Sequence, residues 1–366
     1  MNRRTLRSSR KPSLQSQAYL IRSFFESDLK QRFYLEKFHA KGGQGGVYKV
    51  KYVSSSVKAS NQRLLVLKIA DPQRGSDVEG LRREAIILKG LRYCRHIVTI
   101  FTSPNDPLKP ARESYGWAWA FLEHIENDTL TTFMVRAKEK GLKVLPNRLL
   151  WSIFFCMIRA YIAMAWPVKN YKDLETAKAI DPSGLAHNDI HGDNLLFGSY
   201  MRGREHGLSP ILKLLDFGLA DLSEEDSHAR QHPTGEQSNI LDIGIMMASV
   251  IGLQTDRKYS GEEMEVDLSE LGRADDVLSP AAGILEDFDN GTPDPYPLVD
   301  KDLRLVLAAC LAVDYRDRPT LEELERWAGA KILNTDPNQY AHINRGREQE
   351  TDERIHAIVQ ACIFDA

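Results

Sequence analysis

The sequence predicts an α+β fold with a small sheet lobe followed by a larger helical lobe. Two observations carry this. Up to about residue 123, short β-branched and aromatic runs surround a single helical pattern. From Thr129 onward, apolar residues recur at three- and four-residue steps in one segment after another. Strands around one helix need a helical partner layer or their own core, and the order places them in a lobe of their own. A length of 366 residues suits one two-lobed enzyme, or two domains with tails.

Residues 1–18 are polar and basic, with Pro12 and scattered serines, and the whole stretch 1–32 reads as a basic, disordered tail in which Ala18 to Leu29 fits a short helix. Arg32 to Phe38 alternates like a strand. Residues 40–50 (AKGGQGGVYKV) read as a strand, a glycine turn and a second strand. Leu64 to Ala70 is a short buried-strand pattern. Asp77 to Leu91 is helical, with Val78, Leu81, Ala85, Leu88 and Leu91 on one face. His96 to Phe101 and Trp117 to Leu122 are further strands. The sheet lobe so defined covers 33–123.

The helical lobe covers 124–330. Its helices fall near Thr129–Lys140, Arg148–Trp166, Asn239–Gly252, Asp300–Val313 and Leu321–Ala328, and two hairpin-like segments, Asn194–Phe197 and Leu212–Leu215, interrupt them. Residues 168–184 and 255–297 read as insertions. An extension, 331–366, ends in an amphipathic helix over Asp352–Phe364 docked on the body.

A net charge of −3 gives no reason to invoke a nucleic-acid partner. The four cysteines, Cys94, Cys156, Cys310 and Cys362, show neither metal spacing nor C-x-x-C, and read as buried, reduced thiols in a cytoplasmic or nuclear protein. The run Leu149 to Pro167 is nearly long enough to span a bilayer. It carries Arg159 near its centre, so it reads as a buried helix, and no membrane partner is expected. Up to Phe25 the chain is basic and free of acids, which also fits a mitochondrial transit peptide; the lack of a clean amphipathic helix before Tyr19 favours a tail.

The stretch His187-Asn188-Asp189-Ile190-His191-Gly192-Asp193-Asn194 is the chemical centre. A carboxylate and an amide this close on a tight loop can face one small volume, where one accepts a hydroxyl proton and the other holds a metal ion. Lys68 ends an apolar strand run and needs a partner there, because an unpaired buried ammonium costs several kcal/mol. Glu84, mid-helix, is placed to supply it. A phosphate chain needs backbone N–H groups that approach closely, and glycine leaves that room. A dinucleotide fingerprint also uses such glycines, but needs a helix next, and Val47-Tyr48-Lys49-Val50 is strand-like.

In this order, with Asp216-Phe217-Gly218 downstream, these parts resemble the protein-kinase signature set, across roughly Phe33 to Trp327. The resemblance implies a two-lobed protein-kinase fold, an ATP- and Mg²⁺-dependent transferase, and a protein substrate phosphorylated on a Ser/Thr hydroxyl. It implies Asp189 as the base or orienter, Lys68 on the α- and β-phosphates with Glu84 holding it, and Asn194 and Asp216 as the magnesium ligands. Ala40, Gly42, Gly43 and Gly45 would form the phosphate turn. Val47 and Val66 would roof the adenine, Leu196 would lie beneath it, Leu122 would line the back, and Glu123 and Ile125 would offer backbone groups to its edge. Residues 310–320, ending Arg318-Pro319-Thr320, resemble a late kinase-lobe element that aminoglycoside-type phosphotransferases generally lack.

Four departures stand against the family pattern. Asn188 replaces the arginine that precedes the catalytic aspartate and pairs with a phosphorylated loop in many members. His191 sits where Ser/Thr kinases carry a lysine toward the γ-phosphate. The segment 221–237 is short, acidic and free of A-P-E. Asn239 replaces an aspartate, while Asp242 and Gly244 keep the rest of that pattern. These motivate two alternatives: transfer to a small hydroxylated metabolite, and a nucleotide-binding pseudokinase.

Overall fold

The computed structural model describes residues 14–42, 45–54, 62–70, 75–222, 232–255, 259, 261–286, 291, 293–343 and 346–365, with backbone alone at 14–15 and 39–42. The chain is α+β and divides into two compact units. The first comprises Met1–Lys89 with Thr99–His124, and the second Gly90–Val98 with Ile125–Ala366.

The first unit is built on a five-stranded antiparallel sheet in the order β1-β2-β3-β5-β4, where β1 is Phe33–Gly42, β2 Gly45–Val53, β3 Gln62–Ala70, β4 Ile100–Phe101 and β5 Trp119–Glu123. Alternation along the strands sorts the residues into two faces. Tyr48, Val50, Leu65, Leu67, Ile69 and Phe121 are buried on one. They pack against α1 (Leu14–Glu26), whose Ile21 and Phe25 enter the same core. Gln17 of this helix accepts a 2.6 Å hydrogen bond from the buried Tyr48 hydroxyl.

The expectation of a disordered tail through residue 32 therefore does not hold for α1. An aromatic–aliphatic helix face over an uncovered sheet face outweighs the basic composition that suggested disorder. At the end of the same stretch, Arg32 is buried, paired with Asp28 at 3.0 Å and bonded to Ser103 and the Asn105 carbonyl. The lobe expected to hold one helix has three among the described residues: α1, α2 (Gly75–Gly90) and α3 (Lys109–Tyr115), the last with proline in its first turn and ending at Gly116 in the left-handed region. The strand expected over His96–Phe101 shrinks to β4, and its first half belongs to the second unit.

The second unit is mainly helical. Its core is α5 (Asn147–Ala165), which follows α4 (Leu130–Glu139). Among the described residues α5 is the helix long and apolar enough to cross a membrane, and nearly all of it is buried inside the protein. Its one charged residue within the apolar run, Arg159, is paired there: the guanidinium reaches Glu205 at 2.7 Å, Glu325 at 2.5 Å and the Glu175 carbonyl. Two short strand pairs bracket the motif loops. β6 (Leu185–Ala186) pairs with β9 (Asp221–Leu222), and β7 (Leu195–Phe197) with β8 (Leu212–Leu214).

Helix α6 (Gly235–Ile251) opens with a Thr234/Gln237 capping box and α8 (Leu321–Asn334) with a Thr320/Glu323 box, while α7 is Lys301–Cys310. The described part of 255–297 holds a hairpin of β10 (Met264–Val266) and β11 (Val277–Ser279). The extension adds α9 (Gly346–Gln349) and α10 (Asp352–Val359), with Ile355, Ile358 and Val359 buried. The four cysteines are free and buried.

Docking of α1 gives a direct test. Phe25→Ala removes a buried aromatic and is expected to cost about 3–5 kcal/mol in urea unfolding, whereas Tyr19→Ala, at a position 72% exposed, stays within about 0.5 kcal/mol. Equal effects would mean that α1 does not dock.

Candidate active-site residues

In the first unit, the sheet face opposite α1 carries Val47, Val66, Lys68 and Leu122 of the residues expected to bind nucleotide. Pairing of Val47 with Lys68, Lys68 with Ala120, and Val66 with Leu122 puts all five residues on that face. Lys68 Nζ meets Glu84 Oε2 at 2.8 Å. Glu84 is wholly buried on α2, beside Val78, Leu81 and Leu88. The helix has traded one apolar position for a carboxylate, and the strand has traded its neighbour for a lysine.

The glycine turn forms a hairpin, not a strand-to-helix turn. Gly42 pairs with Gly45 and Ala40 with Val47, and β2 continues directly. Gly43 lies outside the described residues. Gly45 has a packing reason of its own: a β-carbon there would stand 1.9 Å from the Ile69 carbonyl oxygen. Glu123 ends β5, which lies between β3 and β4. Its N–H donates to the Thr99 carbonyl at 2.9 Å and its carboxylate accepts from the Thr99 N–H at 2.7 Å. The Glu123 N–H is thus engaged within the sheet, and Ile125 lies in the second unit.

In the second unit, the motif loop leaves β6 and passes into a 3-10 turn, Gly192–Asn194. Gly192 is forced by close approach, since a β-carbon would meet Thr131 Oγ1 at 2.5 Å and its N at 2.9 Å. Asn194 is the centre of the geometry. Its Nδ2 donates to the Asp189 carbonyl at 2.8 Å and to Asp189 Oδ2 at 3.2 Å. Its backbone carbonyl accepts from the Leu215 N–H at 2.9 Å, one residue before Asp216. The structure therefore brings Asp189, Asn194 and the Asp216 turn together. With Nδ2 turned to Asp189, Oδ1 is the Asn194 atom aimed elsewhere.

Asp216 has φ 59° and accepts from the Gly218 N–H at 3.3 Å; Asn188 has φ 62° and donates to the Leu219 carbonyl. Two non-glycine residues in the left-handed region, both in this loop pair, mark locally strained backbone. His191 Nε2 lies 3.6 Å from Asp189 Oδ2, and its Nδ1 accepts from the Asp193 N–H. Asp193 is exposed. Leu196, half-buried on β7, pairs with Lys213 and bridges to Thr129. Two hard oxygens, Asn194 Oδ1 and the Asp216 carboxylate, are the donor chemistry that suits magnesium.

Sequence reasoning missed the supports. His187 is fully buried, stacks edge-on to Phe217 with ring centroids 4.8 Å apart, and donates from Nε2 to the Leu215 carbonyl at 2.9 Å. Asn239 on α6 accepts from the His187 N–H at 3.0 Å and donates to the Leu185 carbonyl at 2.8 Å. It thereby ties both ends of the loop entry to the helix. Arg318 donates to the carbonyls of Gln237 and Ala312, and Glu236 caps α8 through the Leu321 N–H instead of meeting Arg318. Burial pushes the Asp242 carboxyl up to about 6, with Arg318 opposing the rise and Asp189 adding to it. Of the acidic segment, residues 223–231 lie outside the described residues. No protein-family model matches the chain, and no curated protein matches it either.

Two tests follow from this geometry. Gly45→Ala is expected to cost about 1–3 kcal/mol in urea unfolding without any nucleotide, through overpacking against β3. Unchanged stability would leave phosphate contact as the reason for the glycine. The second concerns His187, whose Nδ1 is buried without a hydrogen-bond partner among the described residues. Burial pushes its imidazole down to about 4 from the ordinary 6.5. Between those values the unfolded chain binds the proton and the folded chain does not. Stability from this group is therefore full above pH ~6.5, falls by up to about 3 kcal/mol as pH drops toward ~4, and falls no further below. His187→Gln should remove that part of the acid sensitivity, read as the difference between the two proteins' unfolding free energies at pH ~7 and ~4.5. Parallel losses in both proteins would contradict it.

Proposed function

We propose that the protein is an ATP- and Mg²⁺-dependent phosphotransferase of the protein-kinase-like superfamily, with the two-lobed fold of that group, acting on a Ser/Thr hydroxyl of a protein substrate. The observation that carries this reading is the gathering of Asp189, Asn194 and the Asp216 turn by Asn194 itself. The Lys68–Glu84 pair supports it from the first unit, because a buried carboxylate holding a lysine at 2.8 Å fixes that ammonium for an anionic ligand.

Asn194 and Asp216 would hold Mg²⁺, which when bound neutralises charge on the phosphate oxygens. Lys68 would place its charge on the α- and β-phosphates. Asp189 would orient the acceptor hydroxyl and take its proton. The acceptor oxygen bonds to the γ-phosphorus as the bond to the β–γ bridging oxygen breaks, and ADP leaves with that electron pair. His191, beside Asp189, would stand near the transferred group in place of the usual lysine. Its presence favours a second reading, transfer to a small hydroxylated metabolite. Catalysis in either case is mostly positional and electrostatic.

Incubation with labelled ATP and magnesium, against generic protein substrates and a metabolite panel, separates these readings. Label on protein is expected; label on a small molecule alone would select the second reading. Asp189→Asn should lower turnover about a hundred- to ten-thousand-fold. Asp216→Asn should abolish magnesium-dependent turnover, and Lys68→Met should slow it strongly while leaving some nucleotide binding. An ATP–magnesium thermal shift is expected in the native protein. No shift and no transfer to any acceptor would overturn the proposal.

A further inference from the structure

Three residues far apart in the chain meet inside the second unit. His96 precedes β4, Cys156 lies on α5 and His206 lies on the loop between β7 and β8. All three are buried, and one ligand atom from each lies within 4.8 Å of the others. Cys156 Sγ and His206 Nδ1 are 3.8 Å apart, and the two imidazole centroids are 5.1 Å apart.

His96 is oriented from behind. Its Nδ1 meets Glu175 Oε2 at 2.5 Å, and Glu175 also accepts from the backbone N–H groups of Arg95 and His96. Glu175 is itself 3% exposed and belongs to the stretch 168–184 that the sequence marks as an insertion. With Nδ1 engaged, Nε2 is the remaining nitrogen of His96. It is buried and makes no hydrogen bond among the described residues. A buried polar nitrogen in that state is costly unless something binds it.

We propose that His96, Cys156 and His206 form a buried zinc site, with Glu175 holding His96 in the ligating orientation. A tetrahedral zinc ion with bonds of about 2.3 Å to sulfur and about 2.0 Å to nitrogen spaces those atoms about 3.6 Å apart. The 3.8 Å between Cys156 and His206 is already close to that value. One thiolate with two imidazoles is a borderline-soft set that suits zinc and not magnesium. A carboxylate behind a ligating imidazole fixes its tautomer and strengthens it as a donor. The Cys156 thiolate and the Glu175 carboxylate supply two negative charges against the two positive charges of the ion. The site shares no residue with the Asn194 and Asp216 donors and does not depend on the proposed activity.

The test uses the full chain produced in zinc-depleted medium. Added Co²⁺ alone is expected to bind at one equivalent and give a sulfur-to-cobalt charge-transfer band, which one equivalent of Zn²⁺ removes. X-ray absorption of the zinc-loaded native protein should find one sulfur and two imidazoles. Cys156→Ser should abolish the cobalt band, and Glu175→Gln should keep it while weakening zinc about 10- to 100-fold against a competing chelator. Absence of the band in the native chain, a zinc shell without sulfur, or an unchanged band in Cys156→Ser would each overturn the site. The absorption measurement needs no variant, so a misfolded mutant does not decide the matter.

Discussion

Asn194 is held from both ends, and this double hold is what the geometry of the second unit's candidate site rests on. Its side-chain amide secures Asp189 and its carbonyl secures the strand end that leads to Asp216. The arrangement is not comfortable locally. Asn188 and Asp216 have positive φ, and the half-buried Asp242 carboxyl feels the charge of Asp189. Strain of this kind costs on the order of 1–3 kcal/mol per residue and persists only where the surroundings over-determine it. Here the surroundings are the buried His187, clasped by Leu215 and Asn239, and the well-capped helix α6. The loop is rigid because its supports are buried, hydrogen-bonded and placed on helices.

The first unit solves a related problem with different parts. A sheet of period two must give one face to its core, and α1 takes that face. The other face is then left to carry Val47, Val66, Ala120, Leu122 and Lys68. Glu84, wholly buried on α2, pairs with Lys68 at 2.8 Å. An apolar residue at position 84 would stabilise the helix packing more simply, so the ion pair is a feature held against the preference of the core.

Local periodicity revealed most elements of this fold. The α2 face and α5 follow from apolar spacing, and the β1–β2 hairpin from the glycine turn between alternating strands. Helix α1 was read as a short helix over Ala18–Leu29 inside a tail, because basic residues dominate the stretch before it, while its docking depends on a sheet face that the local sequence does not show. Helix α3 was hidden by its shortness, although proline at the start and glycine after the end were there to be read. Among the candidate site residues, Lys68, Glu84, Asp189, Asn194 and Asp216 could be named because their order and spacing resemble the protein-kinase signature set. His187 and Asn239 could not be ranked, because their worth lies in hydrogen bonds to backbone that only the folded chain creates. The cysteines were read as plain core thiols. No spacing rule joins Cys156 to His96 and His206, which come from three separate segments.

Backbone pairing links that cluster to the rest of the unit. The His96 carbonyl accepts from the Leu214 N–H at 2.8 Å, and the Val98 N–H donates to the Leu214 carbonyl at 2.9 Å. Strand β8 is thus held on one side by β7 and on the other by residues 96–98, and it ends two residues before Asp216. The side chain of His96 and the N–H groups of residues 95 and 96 are in turn fixed by Glu175. A stretch with the composition of a surface insertion therefore supplies the carboxylate that anchors this strand's neighbour. Rigidity at a three-residue strand cannot come from its own few hydrogen bonds. It comes from a neighbouring segment whose backbone and side chain are both pinned, and a buried polar cluster does this where apolar packing alone would leave the strand free to shift register.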